Sequence, residues 1–263
     1  MKKRNLLLFG FLVVAVAAKA QYNETIRSGR PGQAIVPFTV GKGVFQNQSG
    51  IQFRELRLSE STLEEQSGES VFRVGLLEQF ELGAQVSYLR SRWSATTETM
   101  EQNGIDGLSI RARSNIFQGK GIIPSIGWQV NVGLPVVSEN YNQDHLYPKI
   151  TFMTGQSLLD WLSLTTNAGL AWNGFSADPT SFYIFNFGFS ASDKLGFFAE
   201  HYATIAQSSW NPRFDAGAAY LINNNIQLDI SGGYHTDSDI ESDFFVSTGV
   251  SWRLKRKDDS QPK

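Results

Sequence analysis

"SFYIFNFGFSASDKLGFFAEHY", residues 181–202, holds eight aromatic side chains, several of them at every second position. In a strand, successive side chains point to opposite faces. Tyr183, Phe185, Phe187 and Phe189 then form one face, and Phe182, Ile184, Asn186 and Gly188 the other. Either a protein core or the hydrocarbon of a bilayer could cover that aromatic face. Phe182 fits neither face cleanly: it belongs to an interior near a rim, or the strand carries a bulge.

The same alternation runs through the chain from Gly41 onward. In "PSIGWQVNVGLP", Ile126, Trp128, Val130 and Val132 oppose Ser125, Gly127, Gln129 and Asn131. In "LSIRARSNI", Leu108, Ile110 and Ala112 oppose Ser109, Arg111 and Arg113. Glycine and β-branched residues are frequent inside these runs, which disfavours helix. The pattern predicts twelve strands, at about 43–54, 70–76, 80–90, 107–116, 122–134, 146–154, 160–171, 180–190, 194–205, 212–221, 225–234 and 243–253.

Connection lengths decide what covers the aromatic face. After even-numbered strands they are short: "LLE", "FQGKG", "SDK", "INNN". After odd-numbered strands they read as longer and polar, as in "ELRLSESTLEEQSGES", "SRWSATTETMEQNGID", "VVSENYNQDH" and "HTDSDIES". Tight turns at one end, longer loops at the other and an even strand count mark an antiparallel transmembrane β-barrel of the bacterial outer-membrane type. Strands of this length suit a tilted bilayer crossing. A closed barrel also satisfies every backbone group within the protein. A soluble sandwich alternates too, but twelve strands closed around an apolar interior would leave a wide space to fill.

Residues 1–20 read as a signal peptide: basic "MKKRN", a short apolar run, then Ala18 and Ala20, with cleavage after Ala20. The domain reading is 1–20 signal peptide, 21–42 N-terminal extension, 43–254 barrel and 255–263 polar C-terminal tail. The residues leave open whether 21–42 enters the barrel mouth, lies beneath it or stays loose. The chain has no cysteine, so disulfides, thiolate nucleophiles and cysteine metal sites are excluded. A formal net charge of −2 offers no footprint for nucleic acid.

The face opposite the aromatic one gathers Arg54, Arg73, Glu81, Arg111, Arg113, Glu200, Asp215, Asp229 and Arg253. Such charges must line water or pair with one another. They read either as an internal ion-pair scaffold or as a lumen that selects permeants. If Glu81 pairs with Arg73, Arg111 and Arg113 are left partly uncompensated, facing an acidic wall of Glu200, Asp215 and Asp229. Catalytic readings fare badly. His201 lies near Ser208 and Ser209 without a nucleophile motif. "HTDSDIESD" and "YNQDH" read as solvated acidic loops, not calcium loops. No cofactor or metal is expected.

Several stretches together resemble one bacterial family: "ETIRSGRPGQAIVPFTVGKGVFQNQSGIQF", "FRVGLLEQFELGAQV", "SIRARSNIF" with "IPSIGWQVNVGLP", and "INNNIQLDISGGYHTDSDIESDFFVSTGVSWRL". This is the transporter-like family named for the MetA pathway of phenol degradation. The resemblance implies an outer-membrane barrel passing small molecules, aromatic ones among them, with membrane lipid and the barrel-assembly machinery as partners. Gln46 and Gln48 stand where the family tends to carry an acidic residue. The expected function is passive passage of small molecules. A non-transporting surface barrel is the alternative, and a membrane-embedded hydrolase a lesser one.

Overall fold

The computed structural model describes residues 23–206, 209–237 and 240–254. Residues 1–22 and the tail 255–263 lie outside it, and with them the signal-peptide and tail readings. Among the described residues, twelve antiparallel strands close into one barrel. They are β1 (Phe45–Leu58), β2 (Ser61–Leu77), β3 (Phe80–Ala95), β4 (Thr99–Phe117), β5 (Ser125–Gly133), β6 (Tyr147–Leu159), β7 (Leu162–Ala171), β8 (Thr180–Ser190), β9 (Leu195–Ala206), β10 (Ser209–Asn223), β11 (Ile226–Asp237) and β12 (Ile240–Leu254). Each strand pairs with its sequence neighbours, and β1 closes on β12 from Phe45 opposite Leu254 to Arg57 opposite Ser242.

The barrel is inside-out compared with a soluble domain. Ile110 and Phe152 on the outer face are 55% and 60% exposed, whereas Arg73, Glu81 and Arg113 inside are each 1% exposed. Only a surrounding apolar medium accommodates such an exterior. On β8, Phe185, Phe187 and Phe189 are exposed on the outer face, and Phe182 and Ile184 are buried inside. No bulge interrupts the pairing of β8 with β7 or β9. Phe182 is therefore an interior residue, and the Lys149 ammonium lies 4.4 Å from its ring centroid.

The loop reading needs correcting, first at "HTDSDIESD", where β11 runs on to Asp237, β12 begins at Ile240, and His235 and Asp243 are buried rather than solvated. Residues 55–70 and 91–106 are strand almost throughout. Leu58 pairs with Ser61 across a two-residue turn, and Ala95 donates its N–H to the Glu98 carbonyl. Alternation fades there because water reaches both faces above the bilayer, so no face has to be apolar. Cross-strand ion pairs take its place: Arg54–Glu65 at 2.9 Å, and Arg90 and Arg92 on Glu101 at 3.4 and 3.5 Å. The wall is consequently uneven, with nineteen residues in β4 against nine in β5. The connection between β5 and β6 is irregular, with one short 3-10 turn at Glu139–Tyr141.

Arginine placed at Phe187, on the outer face, is expected to lower stability in urea titrations by about 2–4 kcal/mol. The same residue at Ser67 is expected to be tolerated, because Ser67 lines an open interior cavity of about 280 Å³ together with Glu69 and Asp106. Equal losses at both positions would reverse the facing.

Candidate functional site: a charged lumen threaded by the N-terminal segment

Residues 24–40 run through the inside of the barrel. The segment enters at the end where the strands begin and finish, and the Ile26 N–H donates to the Asn224 carbonyl between β10 and β11 at 2.8 Å. It climbs to Arg30, crosses to β9 and β7 at Gln33–Ile35, and descends past β4 to leave beside β2 and β3 at Val40.

This stretch has no regular secondary structure, so its backbone groups need partners from the wall. The barrel's inward amides and charges supply them. Gln46 and the Arg73 guanidinium both donate to the Arg27 carbonyl, at 3.0 and 3.2 Å. The Glu200 carboxylate accepts from the Gln33 and Ala34 N–H groups at 2.7 and 3.0 Å. Asn167 accepts from the Ile35 N–H at 2.8 Å and donates to the Ile35 carbonyl at 2.9 Å, as a strand neighbour would. Asn115 donates to the Pro37 carbonyl at 2.9 Å. The Val40 N–H donates to Glu81 at 2.8 Å. Arg253 donates to the Glu24 carbonyl and to Asn225.

One cation of the segment is itself a tether. Arg30 reaches Glu69 on β2 at 3.2 Å, Asp229 on β11 at 3.1 Å and Ser247 on β12 at 2.9 Å. Gly50 and Gly249 make room for it, since a Cβ at either would collide with the guanidinium. Gly32 takes φ +87°, and a Cβ there would stand 2.7 Å from the Glu200 carboxylate. Glycine is required on both counts.

The nine charged residues singled out by sequence all point inward, in separate groups. Arg73 and Glu81 form a two-bonded pair at 2.7 and 2.9 Å, with Arg113 at 3.5 Å from the same carboxylate. Arg113 also donates twice to Gln129, at 2.8 and 2.6 Å. Arg113 is thus committed, and an arginine at Gln129, which strand alternation alone would allow, would put cation against cation. Glu200, Asp229 and Arg253 hold the segment, and Asp215 sits directly opposite Glu200 on the neighbouring strand. Arg54 lies farther up, bonded to Asp243 at 2.7 and 2.9 Å and to Glu65. Arg111 contacts Gln85.

Sequence reasoning left the place of residues 21–42 open, gave the inward amides no role and did not single out Lys149. Gln46 and Gln48 show what was legible. An amide can donate to the Arg27 carbonyl and to the Ser28 hydroxyl, and a carboxylate could do neither. His201 lies on the outer face, ringed by Tyr183, Trp210 and Phe214 at centroid distances of 5.5, 6.3 and 4.6 Å. Ser208 falls outside the described residues. Among the described residues, no group of histidine and acidic side chains could hold a metal ion.

The family described as "Putative MetA-pathway of phenol degradation" matches residues 28–254, from within the lumen segment to the last residue of β12. The chain belongs to this family. No curated protein sequence matches it. Among solved structures, an outer-membrane channel from Pseudomonas putida F1 superposes with a TM-score of 0.68 at 12% identity, covering 86% of this chain and 100% of that one. The translocator domain of the autotransporter NalP from Neisseria meningitidis gives 0.55 at 15% identity, over 81% and 89%. The KdgM porin gives 0.53 at 11%, over 78% and 99%. At these identities the MetA-pathway chain shares a fold with them, the closed outer-membrane barrel.

Replacing Glu81 with Gln is expected to be among the most damaging single changes in the lumen. It leaves Arg73 and Arg113 buried without their counter-charge, at a cost of about 3–5 kcal/mol. The check is the urea midpoint of the variant in detergent micelles.

Proposed function

We propose that this protein is a bacterial outer-membrane channel for the passive passage of small, amphipathic or aromatic molecules, with residues 24–40 as the element that restricts the path. One observation carries the reading. The lumen is lined by polar and charged groups and keeps open cavities of about 280 and 230 Å³ beside the segment. A purely structural barrel has no need of such hydrated space. Support also comes from the family's name and from the P. putida F1 channel and the KdgM porin, whose fold this chain shares. In this reading the segment's end of the barrel faces the periplasm, and the tall β1–β4 wall faces outward. Residues 1–20 are removed after Ala20, and the assembly machinery inserts the chain beside outer-membrane lipid. The chain performs no catalysis and needs no cofactor.

The segment's bonds are individually modest and hydration can replace them. In this reading the segment therefore shifts to widen the path. Ser28 Oγ and Ser251 Oγ lie 2.6 Å apart, and the chain has no cysteine of its own. Ser28→Cys with Ser251→Cys should form a disulfide that pins the segment to β12. In liposomes, uptake of benzyl alcohol and single-channel conductance are expected to fall on oxidation and to recover on reduction. Wild-type protein should respond to neither treatment. Uptake equal to that of protein-free liposomes in every state would end the channel reading.

A further inference from the structure

Arg111 on β4, Asn131 on β5 and Lys149 on β6 stand directly opposite one another on three adjacent strands. Neighbouring strands are about 4.8 Å apart, so the two cations flank the asparagine at one level of the lumen. We propose that these three side chains form a binding subsite for the carboxylate of a small aromatic or amphipathic acid. This deepens the channel reading above and rests on it for its biological meaning.

Three features single out the row. First, its charge is uncompensated. Among the described residues neither Arg111 nor Lys149 makes an ion pair, and the Arg111 Nε is buried without a hydrogen-bond partner. Of the carboxylates near that side, Asp106 makes no ion pair among the described residues, and two others are already engaged. Glu81 is held by Arg73, and Glu69 by Arg30 and Gln85. Arg113 is spent on Glu81 and Gln129. Second, the asparagine is oriented. Gln129 accepts from Arg113 through its oxygen and donates its own amide to the Asn131 oxygen. The Asn131 oxygen is thereby occupied, and its NH₂ remains free to donate. The row thus presents donors only, two of them cationic, which suits a carboxylate.

Third, space and an apolar floor adjoin these donors. The cavity of about 230 Å³ that they line is also bounded by Phe182, Ile184 and Ile35. The Lys149 ammonium rests on the Phe182 ring, which places charge and aromatic surface side by side. Drug-sized ligands take pockets of about 300–1,000 Å³, so this one suits a single ring bearing one acid group. Gly83 opens the row on its other side. A Cβ there would stand 2.9 Å from the Arg111 Cγ, so only glycine lets the arginine lie across β3.

Benzoate, benzylamine and benzyl alcohol are the probes, titrated calorimetrically against the full mature protein in non-ionic detergent. Benzoate is expected to bind saturably, and benzylamine neither to bind nor to compete. Arg111→Gln and Lys149→Gln should each weaken benzoate about tenfold, the loss of one charge-assisted bond, and Lys149→Arg should retain it. None of these changes touches the Arg73–Glu81 pair or residues 24–40. Benzoate binding that is absent, matched by benzylamine or unchanged in both glutamine variants overturns the subsite. Binding is read without flux, and benzyl alcohol uptake in liposomes reads the channel by itself. A failed subsite and a failed channel therefore give different results.

Discussion

Closure is the constraint on which everything else depends. Once β1 pairs with β12, no edge is left unpaired, and the sheet can stand in hydrocarbon. Closure also sorts the side chains. Every second residue must suit lipid, and the remainder share an interior whose width follows from the strand number. Twelve strands enclose more room than their own side chains fill. The 24–40 segment occupies part of that room, and its unpaired backbone in turn requires the inward amides and charges. Asn167, Glu200 and Glu81 thus follow from the closed sheet through the segment that the sheet must accommodate.

How much of this could be read from the sequence follows the physics of each region. Within the bilayer, lipid on one side and water on the other impose alternation, and Phe185, Phe187 and Phe189 declare their face. Above the bilayer water meets both sides, and residues 55–70 and 91–106 look like loops although their ladders continue. Residues 24–40 carry no period because no single surface supports them. Each residue answers to a different strand: Ser28 to β12, Ile35 to β7, Val40 to β3. Spatial matching of that kind leaves no repeat to detect. The inward charges were visible, but their long-range partners were not. Glu81 with Arg73 follows from a short hairpin, whereas Arg30 with Asp229 joins residues 199 apart in sequence.

The interior charges also divide by task. On the β2–β4 side, Arg73 and Arg113 share the Glu81 carboxylate, and Arg73 and Glu81 also hold the segment at Arg27 and Val40. On the β9–β12 side the carboxylates turn toward the segment, through N–H groups at Glu200 and a guanidinium at Asp229. Acidic residues there act as sockets for a peptide. The uncommitted positive charge collects farther up on β4 and β6, where the lumen is open.

Ser28 and Arg30 have a consequence for assembly. Ser28 touches Gln48 on β1 and Ser251 on β12, and Arg30 joins β2 to β11 and β12. Both residues therefore bridge the seam at which the first strand meets the last. No turn links those two strands, and of all neighbours in the barrel they are the farthest apart in sequence. The segment acts as an internal clasp across that joint. Its docking surface is complete only when the final hairpin has arrived.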